Sequence, residues 1–419
     1  MARNKLDYYK TSSLKKRYHL FLRFIAKYWL KFNRQVKVIA VVGSYGKTTT
    51  SQVIYTLLSQ KASTLTTDIN LDTVYNIPLT ILKLRKKHQY LILEVGVDHK
   101  NEMDFHLGLF KPDIVVFTGI TPVHSDPNLL GSIEGIIKEK SKLVKALGKN
   151  GWLIANGNDK DVVEIAKIHS KDKTLFYSTE NKTANIYIKN ISLDLSGTKF
   201  SLKIKTKFIE LKGKFVGKQF VEAISAAAGV AMIENIPINK LKDIAKSIMP
   251  LKGRMSIEKG PRGCTVINDS LRANPVSTKT GLETLSAIKG KRKIAVLGEM
   301  GELGKYRNKE HKKIGQLIND LQIDCFIGVG PIMETAVGQI NNQKIIAFPA
   351  KDVFEAANIL KNEVKITKND LVYLKGSLLK HLERVLLLAE NKNISCRVIS
   401  CPFYNPCIKC KYLKTGYRP

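Results

Sequence analysis

Short apolar runs alternate with stretches of helical spacing from Val36 onward. The runs VKVIAVV (36–42), YLILEVGV (90–97) and PDIVVFTGI (112–120) predict buried strands, and the spacing over 48–60 and 132–147 predicts helices. Strands that alternate with helices form a largely parallel sheet, whose ligands bind at the carboxyl ends of the strands. The first part of the chain is therefore predicted to be an α/β domain with a binding edge.

Beyond this part the pattern changes twice. Residues 183–216 alternate with a period of two, which predicts a smaller antiparallel element, and an Ala-rich helix follows. After a junction at MPLKGRM (249–255), strands and helices alternate again. The pattern predicts four segments: a basic amphipathic arm over 1–35, a first α/β domain over 36–248, a second over 249–390, and a cysteine-containing tail over 391–419.

The segment 14–32 is apolar and basic, but it is predicted not to span a membrane. Arg23, Lys27 and Lys31 recur every four residues, so no long uncharged run is left. As a helix, the segment would either lie on an anionic membrane surface or dock on its own domain. Both interpretations stay open, and the first predicts peripheral contact at the inner face of the membrane.

The charge balance is unusual: 69 Lys and Arg against 36 Asp and Glu give a net charge of +33. Such a surface favours anionic partners such as nucleotides, anionic substrates or nucleic acid. The chain shows no aromatic-rich RNA-recognition motif and no DNA-reading helix pair, so no specific nucleic acid is expected. A basic, nucleic-acid-stimulated ATPase is the alternative from another functional class.

The stretch VVGSYGKTTT carries the strongest chemical signal. A strand that ends in a Gly-containing turn and restarts as a helix directs backbone N–H groups at an anion. Lys47 adds a charge for the β- and γ-phosphates, and Thr48 a hydroxyl able to bind Mg²⁺. The predicted nucleotide-binding residues of this loop are Gly43, Ser44, Tyr45, Gly46, Lys47, Thr48 and Thr49.

Other candidates fall where the predicted sheet would place them. Glu94 ends an apolar strand and offers oxygen ligands for Mg²⁺, and His124 follows the next strand. Lys140 lies on a predicted helix among other lysines, and spacing alone does not distinguish it. In the second domain the polar cluster VINDSLRANP contains Asp269, Ser270 and Asn274, which suit ordinary turns or ligand binding.

In chain order, these segments resemble the Mur ligase family over about 36–388. The motifs that carry the resemblance are GSYGKTTT, LEVGVDHKNEM, KPDIVVFTGITPVHSD, KGRM, INDSLRANPVSTKTGLETL and VYLKGSLLKHLERV. They are most similar to the branch that adds D-alanyl-D-alanine to a muramyl peptide. The resemblance implies a P-loop central domain, a Rossmann-like C-terminal domain, and ATP-dependent amide formation through an acyl phosphate in cytoplasmic peptidoglycan synthesis.

The resemblance also implies roles for single residues. Lys47 would hold the phosphates, Thr48 and Glu94 a first Mg²⁺, and His124 a second one together with Lys140 as a carbamate. Arg254 and Asp269 would complete the nucleotide site, whereas Asn70, Ser270 and Asn274 would contact the substrate. The expected partners are a nucleotide and an anionic cell-wall precursor, and a monomer is expected.

The chain also departs from the family pattern. Only about 35 residues precede the phosphate-loop strand, where the family carries a domain that grips UDP. Leu271-Arg272 stands in place of Tyr-Asn, and Leu378 in place of Arg. These changes affect the expected amine site and keep open a relative that joins a different amino acid to a different acid.

The six cysteines divide into two groups. Cys264 and Cys325 lie in apolar sequence and are expected to be reduced core residues of a cytoplasmic protein. The other four crowd the tail as CRVISCPFYNPCIKC. Their spacing allows a tetrahedral thiolate Zn²⁺ site, although only one pair has the usual spacing of a metal knuckle. A loose, reduced tail is the other interpretation.

Overall fold

The computed structural model describes residues 13–69, 71–169, 171–401, 403 and 407–416. Its helices are α1 (Ser13–Phe32), α2 (Lys47–Ser59), α3 (Thr73–Leu82), α4 (Glu102–Leu107), α5 (Ile133–Lys145), α6 (Lys160–Ala166), α7 (Lys218–Ile233), α8 (Lys240–Ser247), α9 (Pro275–Ala287), α10 (Arg307–Asp320), α11 (Glu334–Val337), α12 (Val353–Asn358) and α13 (Arg384–Ala389). Its strands are β1 (Lys37–Val42), β2 (Thr64–Thr66), β3 (Tyr90–Val95), β4 (Ile114–Phe117), β5 (Trp152–Asn156), β6 (Thr174–Ser178), β7 (Ile186–Asp194), β8 (Gly197–Ile204), β9 (Lys207–Gly213), β10 (Ser256–Lys259), β11 (Thr265–Asp269), β12 (Arg292–Gly298), β13 (Cys325–Val329), β14 (Ile346–Ala350) and β15 (Asp370–Lys375).

The chain forms two compact units. Unit 1 contains the described residues up to Ser192, together with Lys199–Gly213 and Gln219–Ile248. Unit 2 contains Leu193–Thr198, Lys214–Lys218 and the described residues from Met249 onward. Helix α1 therefore belongs to unit 1 and the described part of the cysteine tail to unit 2, where the sequence pattern suggested a separate arm and tail.

The first sheet has nine strands in the order β2-β3-β1-β4-β5-β6-β7-β8-β9. Strand β1 pairs in parallel with both β3 and β4, and the parallel pairing continues through β5 and β6 to β7. Central parallel strands are covered on both faces, which is why they read as unbroken apolar runs. Since β1 has β3 on one side and β4 on the other, the loops after these three strands meet at one edge.

The second sheet has six strands in the order β10-β11-β15-β12-β13-β14. All neighbours are parallel except β10 and β11, which pair antiparallel. Its core is built from apolar side chains of the strands and of α12 and α13, including Val296, Ile327, Val372 and Val385. The predicted fold class, two α/β parts with a mostly parallel first sheet, is confirmed.

Helix α1 packs on α3 through one face. Ala26 is buried in the core of unit 1, and the Trp29 indole N–H donates to the carbonyl of Leu84 at 3.2 Å. The guanidinium of Arg23 lies over the ring of Phe105, 3.4 Å from its centroid. Among the described residues, no helix is both long and apolar enough to cross a membrane.

Candidate active site

The loop after β1 has two positions that favour glycine. Gly46 has φ of 74°, in the left-handed region, directly before α2 begins at Lys47. At Gly43 a Cβ atom would lie 2.0 Å from the hydroxyl of Thr118. The loop therefore packs tightly on the end of β4 and leads directly into α2, whose first N–H groups and helix dipole attract an anion.

Neighbouring segments fix this loop from the side of β4. The Ser44 N–H donates to the carbonyl of Gly119 at 2.7 Å, and the Thr118 hydroxyl donates to the carbonyl of Tyr45. The Tyr45 hydroxyl accepts from the Asn156 amide at 3.3 Å. Burial, reinforced by nearby carboxylates, raises the pKa of Tyr45, so its phenol stays neutral. These contacts of Ser44 and Tyr45 thus hold the loop in its shape.

Lys47, Thr48 and Glu94 meet at the same sheet edge. The Thr48 hydroxyl donates to a carboxylate oxygen of Glu94 at 3.1 Å, because the parallel register places Glu94 beside Val41. The Lys47 ammonium donates to the carbonyl of Gly43 at 2.8 Å. A hydroxyl and a half-buried carboxylate beside an anion-binding helix end are donors that suit Mg²⁺ with a bound phosphate.

His124 and Lys140 meet at the carbonyl of Val97, two residues past the end of β3. The His124 ring nitrogen Nδ1 lies 3.0 Å from this oxygen, and the Lys140 ammonium lies 3.5 Å from it. His124 has φ of 74°, a left-handed conformation that is uncommon outside glycine and that indicates a constrained position. The structure thus brings together two residues that are 16 positions apart.

Burial separates Lys140 from the other lysines of α5. Lys138 and Lys145 are exposed, and Lys142 pairs with Asp104 at 2.6 Å. Lys140 has 0% of its surface exposed, and its bond to Val97 is long. A buried ammonium with one long hydrogen bond is costly, so the site favours a change in the chemical form of this side chain.

The pKa of Lys140 points in the same direction. Burial, followed by the nearby charge of Lys47, lowers it to about 7, against the opposing effect of Glu102, Asp98 and Glu139. A large share of the amine is then uncharged at neutral pH. The uncharged amine is the nucleophile that can react with CO₂, so the residue fits the carbamate that the family resemblance implies.

The sequence reasoning missed an acidic cluster next to this site. Ligand atoms of Asp98, His99 and Glu102 lie within 4.8 Å of one another. One carboxylate oxygen of Glu102 accepts the N–H groups of Asp98 and His99, at 2.9 and 3.1 Å. A sequence signal for this cluster was present, since its ionisable residues follow soon after a buried strand. The carbonyl of Val97, a main-chain group, left no signal.

In unit 2, Asp269 pairs with a lysine that sequence reasoning did not select. The Lys375 ammonium lies 2.5 Å from the Asp269 carboxylate and donates to the carbonyl of Arg272 at 2.8 Å. Burial lowers the pKa of Lys375, although Asp269 raises it and the charge of Arg254 lowers it slightly. Arg254 therefore lies within electrostatic range of this pair. The sequence signal that could have identified Lys375 is its position at the end of an apolar strand.

The remaining candidates of unit 2 have local partners. The Ser270 hydroxyl donates to the side chain of Asn268 at 2.8 Å. Asn274 caps α9, because its side-chain oxygen accepts the Ser277 N–H at 2.9 Å. Thr49 lies in the first turn of α2 in unit 1. Asn70, predicted to contact substrate, lies outside the described residues.

Comparison with known proteins decides the family. Residues 41–231 match the Mur ligase middle domain, and residues 253–378 match the Mur ligase glutamate ligase domain. The UDP-N-acetylmuramoyl-tripeptide–D-alanyl-D-alanine ligase of Bacillus subtilis is 30% identical over 378 residues, which are 87% of this chain and 78% of that protein. The chain belongs to the Mur ligase family. The resemblance inferred from the motifs is therefore confirmed.

Solved structures agree with this assignment. The Mur ligase described here is similar to MurF from Acinetobacter baumannii, with a TM-score of 0.80, 27% identity, and coverage of 89% of this chain and 81% of that one. MurF ligase from Thermotoga maritima in complex with ADP gives a TM-score of 0.77 and 25% identity, covering 89% and 84%. This Mur ligase is thus an ATP-dependent enzyme that forms amide bonds.

Proposed function

We propose that this Mur ligase joins D-alanyl-D-alanine to the terminal carboxylate of a UDP-linked muramyl tripeptide. The observation that carries the proposal is the sheet edge where five residues converge, namely Lys47, Thr48, Glu94, His124 and Lys140. Over 87% of its length the chain is also similar to a UDP-N-acetylmuramoyl-tripeptide–D-alanyl-D-alanine ligase. The γ-phosphoryl group of ATP passes to the substrate carboxylate. The amine then attacks the acyl phosphate, and phosphate leaves as the amide forms.

The phosphate loop binds and orients the transferred group. The N–H groups at the start of α2 bind phosphate oxygens, and Lys47 exchanges its bond to Gly43 for one to the phosphates. Negative charge on these oxygens is then opposed by groups that are already in place, which is the main way phosphoryl transfer is accelerated.

Mg²⁺ fits the donors of this edge. Thr48 and Glu94 would hold one ion, and His124 with Lys140 as a carbamate would hold a second. A bound Mg²⁺ supplies Lewis-acid stabilisation of charge on phosphoryl oxygens. A carbamate converts the buried Lys140 from a cation into an oxygen ligand, which removes the cost of an ammonium with one long hydrogen bond.

Unit 2 contains the other residues for which we propose a role in substrate binding. Lys375 holds the Asp269 carboxylate in one orientation. Asp269 and Arg254 stay predicted nucleotide contacts. Ser270 and Asn274 lie just before the start of α9, where we propose the contact to the incoming amine. Asn70 stays a predicted substrate contact.

The test is phosphate release with ATP and Mg²⁺ across a panel of UDP-muramyl peptides combined with amino acids and D-alanyl-D-alanine. We expect release only when both an acid and an amine are present, with the amide product in the mass spectrum. A preference for another acid and amine would support the alternative relative within the family. Release that needs DNA or RNA and no amine would contradict the proposal.

We also propose that α1 contacts an anionic membrane surface, because its outer face is apolar and unusually exposed. One row of side chains recurs at alternating spacings of four and three, which is one face of a helix. Their exposed fractions run from 36% to 77%; they are Leu14, Tyr18, Phe21, Ile25, Tyr28 and Phe32. The helix therefore docks on unit 1 through one face and leaves the opposite face for a partner.

The charge of α1 favours lipid over a second copy of the chain. The helix SLKKRYHLFLRFIAKYWLKF contains Lys and Arg but no acidic residue, so two such helices would repel each other. Each Lys or Arg near an anionic bilayer contributes about 1 kcal/mol, and aromatic rings suit the interface.

The proposed cofactors lie in different parts of the chain. ATP and Mg²⁺ would bind at the sheet edge of unit 1, and a Zn²⁺ ion would bind in the cysteine tail.

Vesicle sedimentation tests the membrane contact. We expect binding to phosphatidylglycerol vesicles, little binding to phosphatidylcholine vesicles, and at least a roughly tenfold loss in the double variant Phe21→Ser/Phe32→Ser. Phe208→Ser is the matched control, because Phe208 is 58% exposed elsewhere in unit 1. Unchanged binding of the double variant would contradict the proposal, as would a lipid-independent dimer that the double variant abolishes.

A further inference from the structure

The cysteine tail packs on unit 2 in the part of the chain that the structure describes. Arg384 is 1% exposed, and its guanidinium donates to the carbonyls of Cys396 and Val398, at 3.1 and 2.6 Å. Ile394 and Leu413 are buried in a small apolar cluster with Cys396 and Cys407. The interpretation of a loose tail is therefore not supported by this packing.

Four cysteines of the tail surround one small cavity. Cys396, Cys401, Cys407 and Cys410 all line it, and none of the four forms a disulfide. The cavity measures about 10 Å³, close to the smallest space that holds one water-sized sphere. The first three cysteines are less than 10% exposed. Four thiols that line one small cavity provide the donor set of a tetrahedral sulfur site, and a bound ion would draw their sulfur atoms together.

The local backbone has features of thiolate–metal loops. Cys407 begins a single turn, and the Cys410 N–H donates to the carbonyl of Cys407 at 2.9 Å. This turn contains the C-x₂-C spacing seen in metal knuckles. At Cys401, the Phe403 N–H donates to the sulfur at 3.5 Å. Such N–H donors stabilise a thiolate and orient it toward a metal.

A histidine and a glutamate next to the cavity already have other partners. His381 Nδ1 lies 2.9 Å from the Glu383 carboxylate, and Nε2 lies 3.0 Å from the carbonyl of Phe403. The same Glu383 oxygen accepts the Cys407 N–H at 3.1 Å. Both side chains thus fasten the tail around the cavity, and their ligand atoms lie within 4.8 Å of the Cys407 sulfur.

We infer that Cys396, Cys401, Cys407 and Cys410 bind one Zn²⁺ ion as thiolates. Binding releases the thiol protons and leaves a site with a net charge of −2, which the buried guanidinium of Arg384 partly offsets. The inference develops the zinc proposal above and does not depend on the ligase reaction.

The ion would also fix one wall of a second cavity in unit 2. Arg397, Val398 and Ile399 follow Cys396 directly and line a cavity of about 40 Å³. Gly298 and Glu299, at the carboxyl end of β12, line it as well. Ligands of open α/β sheets bind at this end of the strands. Zinc bound in the tail would thereby order residues 397–399 next to a cavity that is suited to a ligand.

The experiment measures the metal content of the full chain, purified without a histidine tag, by mass spectrometry. We expect one zinc per chain, and visible bands of tetrahedral thiolate cobalt after exchange with Co²⁺. Cys401→Ser and Cys410→Ser should each lose most of the zinc. Cys264→Ser and Cys325→Ser are the matched controls, since these cysteines are buried in the core of unit 2, and they should keep it.

Three results would overturn the inference. The first is a chain that binds neither Zn²⁺ nor Co²⁺ when supplied with them. The second is full zinc retention in the double variant Cys401→Ser/Cys410→Ser, which would place the ion elsewhere. The third is iron with the strong visible absorption of an iron–sulfur site. Each result is obtained without substrates, so a failure here is distinct from a failure of the proposed ligase reaction.

Discussion

The strand ends of the two units carry similar polar residues, but these residues are partnered differently. In unit 1, side chains from β3, α2 and α5 and from the loop after β4 converge, and the buried Lys140 has one long hydrogen bond. In unit 2, Asp269 pairs with Lys375 and Asn274 caps α9. Polar strand ends therefore indicate a reactive site most strongly where the protein itself leaves a buried group poorly compensated.

The comparison predicts that substitutions in unit 1 remove turnover and leave the fold intact. Lys47→Ala should give the largest effect, a loss of about 10³-fold or more in the rate of phosphate release, because it removes a charge from the phosphate site. Steady-state kinetics measure the rate of phosphate release, and thermal unfolding measures the stability of the fold. An unfolding midpoint that falls together with the rate would contradict the prediction.

Lys140→Ala should reduce the rate by about 10²-fold, and small carboxylates such as acetate should restore part of it if a carbamate is lost. Lys138→Ala is the matched control, since Lys138 is exposed on the same helix. With ¹³C-bicarbonate, wild type and the control should show a carbamate signal in the NMR spectrum that Lys140→Ala lacks. A signal that persists in Lys140→Ala would assign it to another group.

The smallest effect is expected in unit 2. Asn274→Ala should lower the free energy of unfolding by about 1 kcal/mol, because α9 loses its N-cap. Asn274→Ser keeps a capping oxygen and should restore stability. If Asn274 also contacts the amine, the serine variant will remain slow with an increased KM for the amine. Full recovery of both rate and stability would limit Asn274 to capping.

Much of the fold was predictable because it depends on local patterns. Unbroken apolar runs identified β1, β3 and β4, and helical spacing located α2 and α5 to within one or two residues. The phosphate loop was predictable for the same reason, since its glycines and its helix start lie within a few residues. Helix α1 was predicted with two open interpretations, and the structure shows that it docks through one face and exposes the other.

What the sequence by itself determined is the order of elements, the phosphate loop and the family to which its ordered motifs belong. Tertiary structure alone decided which lysine of α5 is buried, that His124 and Lys140 meet at the carbonyl of Val97, and that four cysteines surround one cavity. The physical reason is that desolvation and contact depend on packing between distant segments, whereas periodicity and turn chemistry depend on neighbours in the chain.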